Sequence, residues 1–273
     1  MLNNVRVSQV LIGEARADEV RKVACQEVCG GNHRAACVAE LPGLTGWISC
    51  QPLAPSMDGG DVYYISACSA GLMARVVLAD VAGHGEGVSV AAARLRDALR
   101  RHVDRWDQSI LIRQLNDRFL KGADHTSFAT AFVASFNSTT GELLFTNAGH
   151  MPPLWYRSAT GEWSFLLEST PLSKEIVDLP LGIIAGTSYS QTAIQLEPRD
   201  LLLLYTDGVS EAHDRSGTQL GLDRLLSMAR NLPRESAVAA GKGLLAAVAM
   251  FRGTAPAADD ETVLALERRA IVS

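Results

Sequence analysis

The feature that most constrains the fold is a series of short apolar segments that runs from Trp47 almost to the end of the chain. Each segment is four to nine residues long and is bounded by Gly, Pro, Asn or Asp, which is typical of β-strands. Two of the links between segments, 138–141 and 159–161, have the composition of hairpin turns. The predicted strands are 47–53, 62–68, 74–81, 128–136, 143–147, 154–157, 163–166, 192–196, 201–205 and 262–266.

Amphipathic stretches between these segments predict helices. A further helix is predicted over 11–29, where apolar residues recur at helical spacing and Gly30-Gly31 provides a stop. The strand links are hairpins and the helices are grouped in pairs, so we expect an α+β fold in which antiparallel sheets carry helices on their outer faces. The other predicted helices are 88–103, 109–120, 222–231 and 236–251.

Composition narrows the functional class. Hydrophobic residues make up 47% of the 273 residues and charged residues 20%, so the chain can bury a sizeable core. The net charge of −5 does not provide the basic surface that nucleic-acid binding requires, and we expect no nucleic-acid partner. No apolar run approaches the roughly 18 residues of a membrane span, and the first residues lack a signal-peptide pattern. Five cysteines in such a chain indicate free thiols, so we expect a cytoplasmic protein without a membrane span.

Four aspartates stand where a predicted strand meets a turn: Asp61, Asp80, Asp207 and Asp259. A carboxylate at a strand end is held by the strand behind it, and neighbouring glycines let carbonyl groups and water approach. Carboxylates gathered without His or Cys suit Mg²⁺ or Mn²⁺. Two such ions can activate a bridging water and polarise a phosphoryl group. The alternative is that these are ordinary turn aspartates, because spacing alone does not bring them together.

Six sequence blocks occur in an order that is known from one family. They are Gly59-Gly60-Asp61, Asp80-Val81-Ala82-Gly83-His84-Gly85, Asn147-Ala148-Gly149-His150, Pro180-Leu181-Gly182, Tyr205-Thr206-Asp207-Gly208-Val209-Ser210-Glu211-Ala212 and Asp259-Asp260-Glu261-Thr262. Together they resemble the SpoIIE/RsbU-like serine/threonine phosphatases, a bacterial branch of the PPM superfamily related to protein phosphatase 2C (PP2C). The resemblance covers roughly residues 47–268. It predicts a phosphatase domain over 47–273 that follows an N-terminal helical, regulatory segment over 1–46.

The resemblance implies a PPM-type β-sandwich with α-β-β-α layers and a site for two Mn²⁺ or Mg²⁺ ions. By this resemblance Asp80 bridges both ions, and the backbone carbonyl of Val81 helps to hold one of them. Asp61, Asp207 and Asp259 complete the ligand set, directly or through water. A metal-activated water then attacks phosphorus directly, without a covalent phosphoenzyme.

The resemblance also implies partners. Such phosphatases act on phosphoserine or phosphothreonine of small anti-anti-sigma (STAS-domain) proteins, so we expect a phosphorylated STAS-like protein as substrate. An activating protein partner and a homodimer are further expectations. One departure is Tyr64, where many relatives carry an Asp. It leaves a second interpretation open, in which a weakly active or inactive phosphatase-fold module binds a phosphoprotein or an anti-sigma partner.

Two histidines lie in the family blocks. His84 stands between two glycines close to Asp80 and is predicted as a general acid that protonates the leaving seryl oxygen, with local hydrogen bonding as the alternative. His150 is predicted as a structural turn residue.

A possible zinc set precedes the family blocks. Cys25, Cys29, His33 and Cys37 offer four zinc ligands, but their spacing differs from that of common zinc fingers. Packing of thiols in an apolar core explains Cys25 and Cys29 equally well.

Overall fold

The computed structural model describes residues 20–24, 28–67, 71–83, 86–102, 107–122, 128–166 and 178–270. Within these ranges the chain forms thirteen strands and five helices. The strands are β1 (Val20–Lys22), β2 (Val28–His33), β3 (Ala35–Leu41), β4 (Leu44–Gln51), β5 (Asp58–Ala67), β6 (Met73–Val81), β7 (Ala129–Asn137), β8 (Glu142–Ala148), β9 (Leu154–Arg157), β10 (Glu162–Phe165), β11 (Thr192–Gln195), β12 (Leu201–Tyr205) and β13 (Glu261–Arg268). The helices are α1 (Glu86–Arg101), α2 (Gln108–Gly122), α3 (Asp207–Ser210), α4 (Gly221–Ala229) and α5 (Ala237–Arg252).

The strands form two sheets that pack face to face. One has seven strands in the order β1-β3-β4-β13-β12-β9-β10, and the other has six in the order β11-β8-β7-β6-β5-β2. The described pairings are antiparallel except that of β1 with β3. Side chains from both sheets, such as Tyr63 of β5 and Leu264 of β13, share one buried core. The predicted α+β class and the sandwich of two antiparallel sheets are confirmed.

Helices cover the outer face of each sheet. Val62 and Tyr64, which alternate with Tyr63 along β5, pack against α1 and α2. On the other side α4 and α5 pack against the outer faces of β12 and β13. The layers are therefore α-β-β-α, as the resemblance implied. None of the helices in these ranges combines the length and the apolar character needed to cross a bilayer.

The N-terminal prediction needs correction. The helix predicted over 11–29 is wrong where the structure describes this segment, because Val20–Lys22 form β1 and Val28–His33 form β2. The valines that suggested a helical stripe also favour strands. Gly30 lies inside β2, where an added Cβ would stand 2.7 Å from the carbonyl oxygen of Tyr63 on β5, so the glycine allows close strand pairing rather than ending a helix. Residues 1–19 lie outside the described ranges.

The predicted domain boundary falls within a strand. Residues 46 and 47 both belong to β4, and β2 and β3, which precede it, are members of the two sheets. The described part of the segment before residue 47 is thus built into the sandwich, because its strands pair with β4 and β5.

Candidate metal centre

Two of the predicted ligands face each other across neighbouring strands. Asp61 of β5 is the register partner of Asp80 on β6. By the alternation of each strand, their side chains point the same way as Tyr63 and Leu78, into the space between the sheets. Asp61 is 1% exposed, and Asp80 is partly exposed. The pair therefore places two carboxylates at one end of the sandwich interior.

The opposite sheet brings the other two predicted ligands to the same end. Asp207 follows β12 as the first residue of α3, and Asp259 lies in the turn before β13, the strand that pairs with β12. The two segments touch at Gly208. An added Cβ there would stand 2.0 Å from the carbonyl oxygen of Asp260 and 3.4 Å from the Cβ of Asp259. Glycine is required for α3 to begin this close to the turn that carries Asp259.

Electrostatic interactions link Asp61, Asp207 and Asp259 to Asp80, and the four carboxylates together are the acidic cluster. The pKa of Asp80 is raised to about 8, first by burial and then by the negative charges of Asp207 and Asp259. Burial also raises the pKa of Asp61, with the charge of Asp80 as the next cause. The pKa of Asp207 is raised by burial and by Glu211. Acidic groups are thus concentrated at one place, and divalent cations would relieve the repulsion between them.

A short hydrogen-bond chain orients Asp61. The backbone N–H of Thr262 donates to Oγ1 of Thr206 at 3.1 Å, and the Thr206 hydroxyl donates to Oδ2 of Asp61 at 2.8 Å. Because the Thr206 oxygen accepts from a backbone amide, its proton is free to point at the carboxylate. The seven-stranded sheet thereby fixes a carboxylate that belongs to the six-stranded sheet.

Asp260 performs a different task from Asp259. Its Oδ1 accepts from the backbone N–H of Leu53 and its Oδ2 from that of Gly60, both at 2.6 Å. The carboxylate of Asp260 therefore binds backbone beside Asp61, whereas Asp259 is exposed. Sequence reasoning missed this role. The signal was the glycine pair before Asp61, since a Cβ at Gly59 would stand 2.2 Å from Oδ2 of Asp260.

The backbone carbonyl of Val81 lies beside Gly60, the residue before Asp61. A Cβ at Gly60 would stand 2.9 Å from this oxygen and 2.8 Å from Cγ1 of Val88, so glycine leaves space beside the carbonyl. The donors are hard oxygen atoms, which suit Mg²⁺ or Mn²⁺.

Water would have to supply part of the coordination. Among the described residues, no three Asp, Glu, His or Cys side chains are grouped closely enough to hold an ion by themselves. Mg²⁺ usually keeps several waters and binds through one or two carboxylates, so the residues fit hydrated ions. The assignment of Asp61, Asp80, Val81, Asp207 and Asp259 as ligands remains a prediction.

The other residues singled out from the sequence separate into three groups. His84 and Cys25 lie outside the described residues, so the general acid and the four-ligand zinc set are untested. Cys29 and Cys37 are buried in the apolar core between the sheets. Tyr64 is buried on the face of β5 opposite Asp61, and its presence therefore removes no carboxylate from the side of β5 that faces the cluster.

His150 is a structural turn residue, as predicted. Its backbone N–H donates to Oδ1 of Asn147 at 2.7 Å, its carbonyl accepts from Nδ2 of the same side chain at 3.0 Å, and its ring Nδ1 lies 2.9 Å from Oγ1 of Thr130. Burial lowers the pKa of His150 to about 4, so the ring is neutral at neutral pH.

Of two cavities in the described part of the chain, the smaller one borders the acidic cluster. A cavity of about 80 Å³ adjoins it and is lined by Asp207, Glu211, Asp259 and the Arg252–Glu261 ion pair, among others. A larger cavity of about 510 Å³ lies between α1 and α2 and contains none of the predicted ligands. The chemistry of the acidic residues, and not cavity size, therefore identifies the candidate site.

Comparison with known proteins places the chain in a family. The family model described as Stage II sporulation protein E (SpoIIE) matches residues 73–269. Phosphoserine phosphatase RsbU of Bacillus subtilis is 26% identical over 144 residues, which are 52% of this chain and 41% of RsbU. Phosphoserine phosphatase RsbP of the same organism is 23% identical over 141 residues, 50% of this chain and 33% of RsbP. The matches thus span less than half the length of these curated relatives.

Solved structures agree with the sheet architecture. The RsbU and RsbW domains of Rv1364c from Mycobacterium tuberculosis superpose with a TM-score of 0.68 at 23% identity, covering 88% of this chain and 63% of that one. The SiaA-PP2C domain of Pseudomonas aeruginosa gives 0.65 at 20% identity, covering 81% and 84%. At these identities the likeness establishes the fold, which is that of the PP2C phosphatases. With the family model matching most of its length, the chain belongs to the SpoIIE family.

Proposed function

We propose that this chain is a Mn²⁺- or Mg²⁺-dependent phosphoprotein phosphatase that hydrolyses phosphoserine or phosphothreonine. The observation that carries the proposal is the register of Asp61 against Asp80, with Asp207 and Asp259 close enough to raise the pKa of Asp80. Membership of the SpoIIE family supports it, as do two relatives that are named phosphoserine phosphatases.

In this proposal Asp61, Asp80, Asp207, Asp259 and the carbonyl of Val81 hold two ions. A related solved structure, the catalytic domain of the phosphatase PstP, is described in complex with two manganese ions. Bound divalent cations supply Lewis-acid charge to phosphoryl oxygens and lower the pKa of water.

The residues of the chain itself orient the proposed metal ligands. Thr206 orients Asp61, Asp260 holds the backbone at Gly60 beside it, and Gly59 and Gly208 allow the close approach of Asp260. Burial of the carboxylates lowers the local dielectric constant, which strengthens their attraction for cations. The thiol of Cys50, on which the charge of Asp61 acts, is fully buried, and burial raises its pKa far above the neutral range, so it is not a nucleophile at neutral pH.

His84 remains the proposed proton donor to the leaving seryl oxygen. A general acid matters most for a poor leaving group. His84→Ala should therefore slow hydrolysis of a phosphoserine peptide far more than that of p-nitrophenyl phosphate, and equal losses on both substrates would assign His84 a local structural role.

We further infer that the substrate is a small phosphorylated regulatory protein of the STAS type, acting in the cytoplasm. The support is the likeness to RsbU and RsbP and to a solved protein that carries RsbU and RsbW domains together.

The experiment is a pair of assays on the purified chain. Hydrolysis of p-nitrophenyl phosphate and phosphate loss from candidate phosphorylated STAS proteins, followed by mass spectrometry, are measured with Mn²⁺ and with EDTA. We expect Mn²⁺-dependent turnover of both and none with EDTA. Binding of Mn²⁺ and of a phosphoprotein without turnover would instead favour the inactive binding module, and turnover of p-nitrophenyl phosphate alone would remove the STAS assignment.

A further inference from the structure

A two-contact ion pair closes the loop that carries Asp259. Arg252 is the last residue of α5 and Glu261 is the first residue of β13. Nη1 of Arg252 donates to Oε1 of Glu261, and Nη2 donates to Oε2 at 3.2 Å. Both side chains are largely withdrawn from water, with exposures of 15% and 9%. The pair thus joins the two ends of the loop 253–260.

Backbone hydrogen bonds hold the start of this loop, and a side chain holds its far end. The N–H of Gly253 donates to the carbonyl of Ala249 at 2.9 Å, and that of Ala255 to Arg252 at 3.2 Å. At the far end Asp260 binds the backbone of β5. Residues 256–259 are exposed. Asp259 therefore lies in a loop whose ends are joined by the Arg252–Glu261 pair, and next to Asp260, which binds the backbone of β5.

The positive charge of Arg252 does not by itself favour metal binding at the neighbouring carboxylates. Arg252 lines the cavity of about 80 Å³ together with Asp207 and Asp259, two of the proposed metal ligands. A fixed positive charge at this place repels a divalent cation by Coulomb's law. A paired arginine is nevertheless well suited to holding geometry, because its planar fork binds a carboxylate in a defined orientation.

We propose that Arg252 and Glu261 are positioning residues, which hold the loop 253–260 so that Asp259 stays beside Asp80 and Asp207 as a metal ligand. The proposal rests on the proposed function in so far as Asp259 binds an ion. Residues that orient metal ligands typically change metal affinity by about 10- to 100-fold when they are replaced.

The direction of the change in Mn²⁺ affinity tests the proposal. The variant is Arg252→Met, and the probe is Mn²⁺ alone, titrated into metal-free protein by calorimetry. Positioning predicts a Kd about 10- to 100-fold higher. Removal of a repelling charge predicts a lower Kd, and a pair that serves only stability predicts an unchanged Kd with a lower melting temperature. Either of the last two results overturns the proposal.

A second variant covers the case in which Arg252→Met folds poorly, since it leaves the Glu261 carboxylate buried without its partner. Arg252→Met/Glu261→Gln contains no unpaired charge and should recover much of the melting temperature while Mn²⁺ binding stays weak. Recovery of the parental Kd in this double variant would contradict the proposal.

Two further variants serve as comparisons. The Kd of Arg252→Lys, which keeps the charge but not the planar fork, should fall between those of the parent and Arg252→Met. Arg113→Met, which removes an exposed arginine that hydrogen-bonds within α2, is the control and should leave the Kd unchanged.

Hydrogen exchange separates this proposal from the proposed function. Amides of Ala255 and of residues 257–260 should exchange faster in metal-free Arg252→Met than in the parent, while amides of β12 remain protected. This result does not require turnover. A parent that binds Mn²⁺ but hydrolyses no phosphoester ends the proposed function and leaves the positioning role intact, whereas unchanged exchange in the loop overturns the positioning role alone.

Discussion

The carboxylates at the two ends of β12, Asp200 and Asp207, have opposite electrostatic surroundings. At the start of the strand Asp200, 2% exposed, accepts from Nε1 of Trp155 at 3.2 Å, from the backbone N–H of Glu197 at 3.0 Å, and from the backbone and hydroxyl of Ser158 at 2.7 and 2.9 Å. At the far end Asp207 faces Asp80, another carboxylate, and burial and negative neighbours raise the pKa of both.

The comparison separates a structural carboxylate from a functional one. At Asp200 the chain supplies donors that replace the water lost on burial, which is how a stable fold accommodates a buried charge. At Asp80 the charges that act on the carboxylate are those of other acids, so the folded protein alone leaves a negative charge there poorly compensated. A carboxylate that costs stability in this way is a candidate for binding a ligand of opposite charge.

The strongest test of this comparison is Asp80→Asn. A neutral amide cannot offset two divalent ions, so Mn²⁺-dependent phosphatase activity should fall by several orders of magnitude. The metal-free melting temperature should stay the same or rise, because the change relieves repulsion among the acids. Melting curves with and without Mn²⁺, beside an activity assay, measure both effects. Substantial Mn²⁺-dependent activity in this variant would remove the bridging role of Asp80.

Asp200→Asn should show the reverse pattern. Loss of charge at a carboxylate that accepts four hydrogen bonds should lower the free energy of unfolding by about 2–3 kcal/mol, since bonds to charged groups are the stronger ones. The Kd for Mn²⁺ should not change. Urea unfolding and calorimetric titration with Mn²⁺ are the two measurements, and a variant that keeps its stability but loses Mn²⁺ affinity would invert the assignment of the two ends.

The pH dependence of the metal-free protein gives a smaller effect. The pKa of Asp80 is about 8 in the folded protein against an ordinary value of 3.8, so the folded state holds a proton that the unfolded state has already lost. This contribution to stability is complete at and below pH 4 and disappears as the pH rises through 8. From pH 6.5 to 8 the free energy of unfolding in EDTA should fall by about 2 kcal/mol. His150 titrates below this window because burial lowers its pKa to about 4.

Urea unfolding at fixed pH values in EDTA measures this slope. Asp80→Asn should flatten it, and saturating Mn²⁺ should reverse it, because the ions bind the ionised carboxylates. A metal-free parent whose stability is constant or rises over this window would show that the acidic cluster is not strained.

The smallest effect is expected at Thr206→Val. The change keeps the shape of the side chain but removes the hydroxyl that donates to Asp61. We expect about 1 kcal/mol weaker Mn²⁺ binding, the usual value of one hydrogen bond, with Thr206→Ser close to the parent. Calorimetric titration with Mn²⁺ distinguishes these outcomes, and equal affinity in the valine and serine variants would mean that the hydroxyl does not position Asp61.

Much of the fold was predictable because its signals are local. The strands around Leu154–Arg157 and Leu201–Tyr205 have the predicted bounds, since each is a short apolar run that ends in turn residues. The helix prediction for the segment before residue 47 was wrong because it, too, relied on local signals. Its valines and glycines fit a capped helix locally, and only the close approach of Tyr63 to Gly30 shows why a strand forms.

The sequence predicted the candidate metal ligands but not the residues that hold them in position. The blocks around Asp61, Asp80 and Asp207 are recognisable as motifs. The roles of Asp260 and Thr206 depend on partners more than 140 residues away in sequence, Gly60 and Asp61. No periodicity or spacing indicates such contacts, and only folding of both sheets brings them together.

The position of β13 has a consequence for biosynthesis. It is the last strand in the described chain, yet it lies at the centre of the seven-stranded sheet, between β4 and β12. As the chain leaves the ribosome, every strand of the six-stranded sheet is available once residue 195 has emerged, so Asp61 and Asp80 can meet early. The other sheet lacks its middle strand until residue 268 is free. Asp259 and Asp260 therefore join the site after Asp61, Asp80 and Asp207, and a nascent chain carries an incomplete acidic cluster until β13 has emerged.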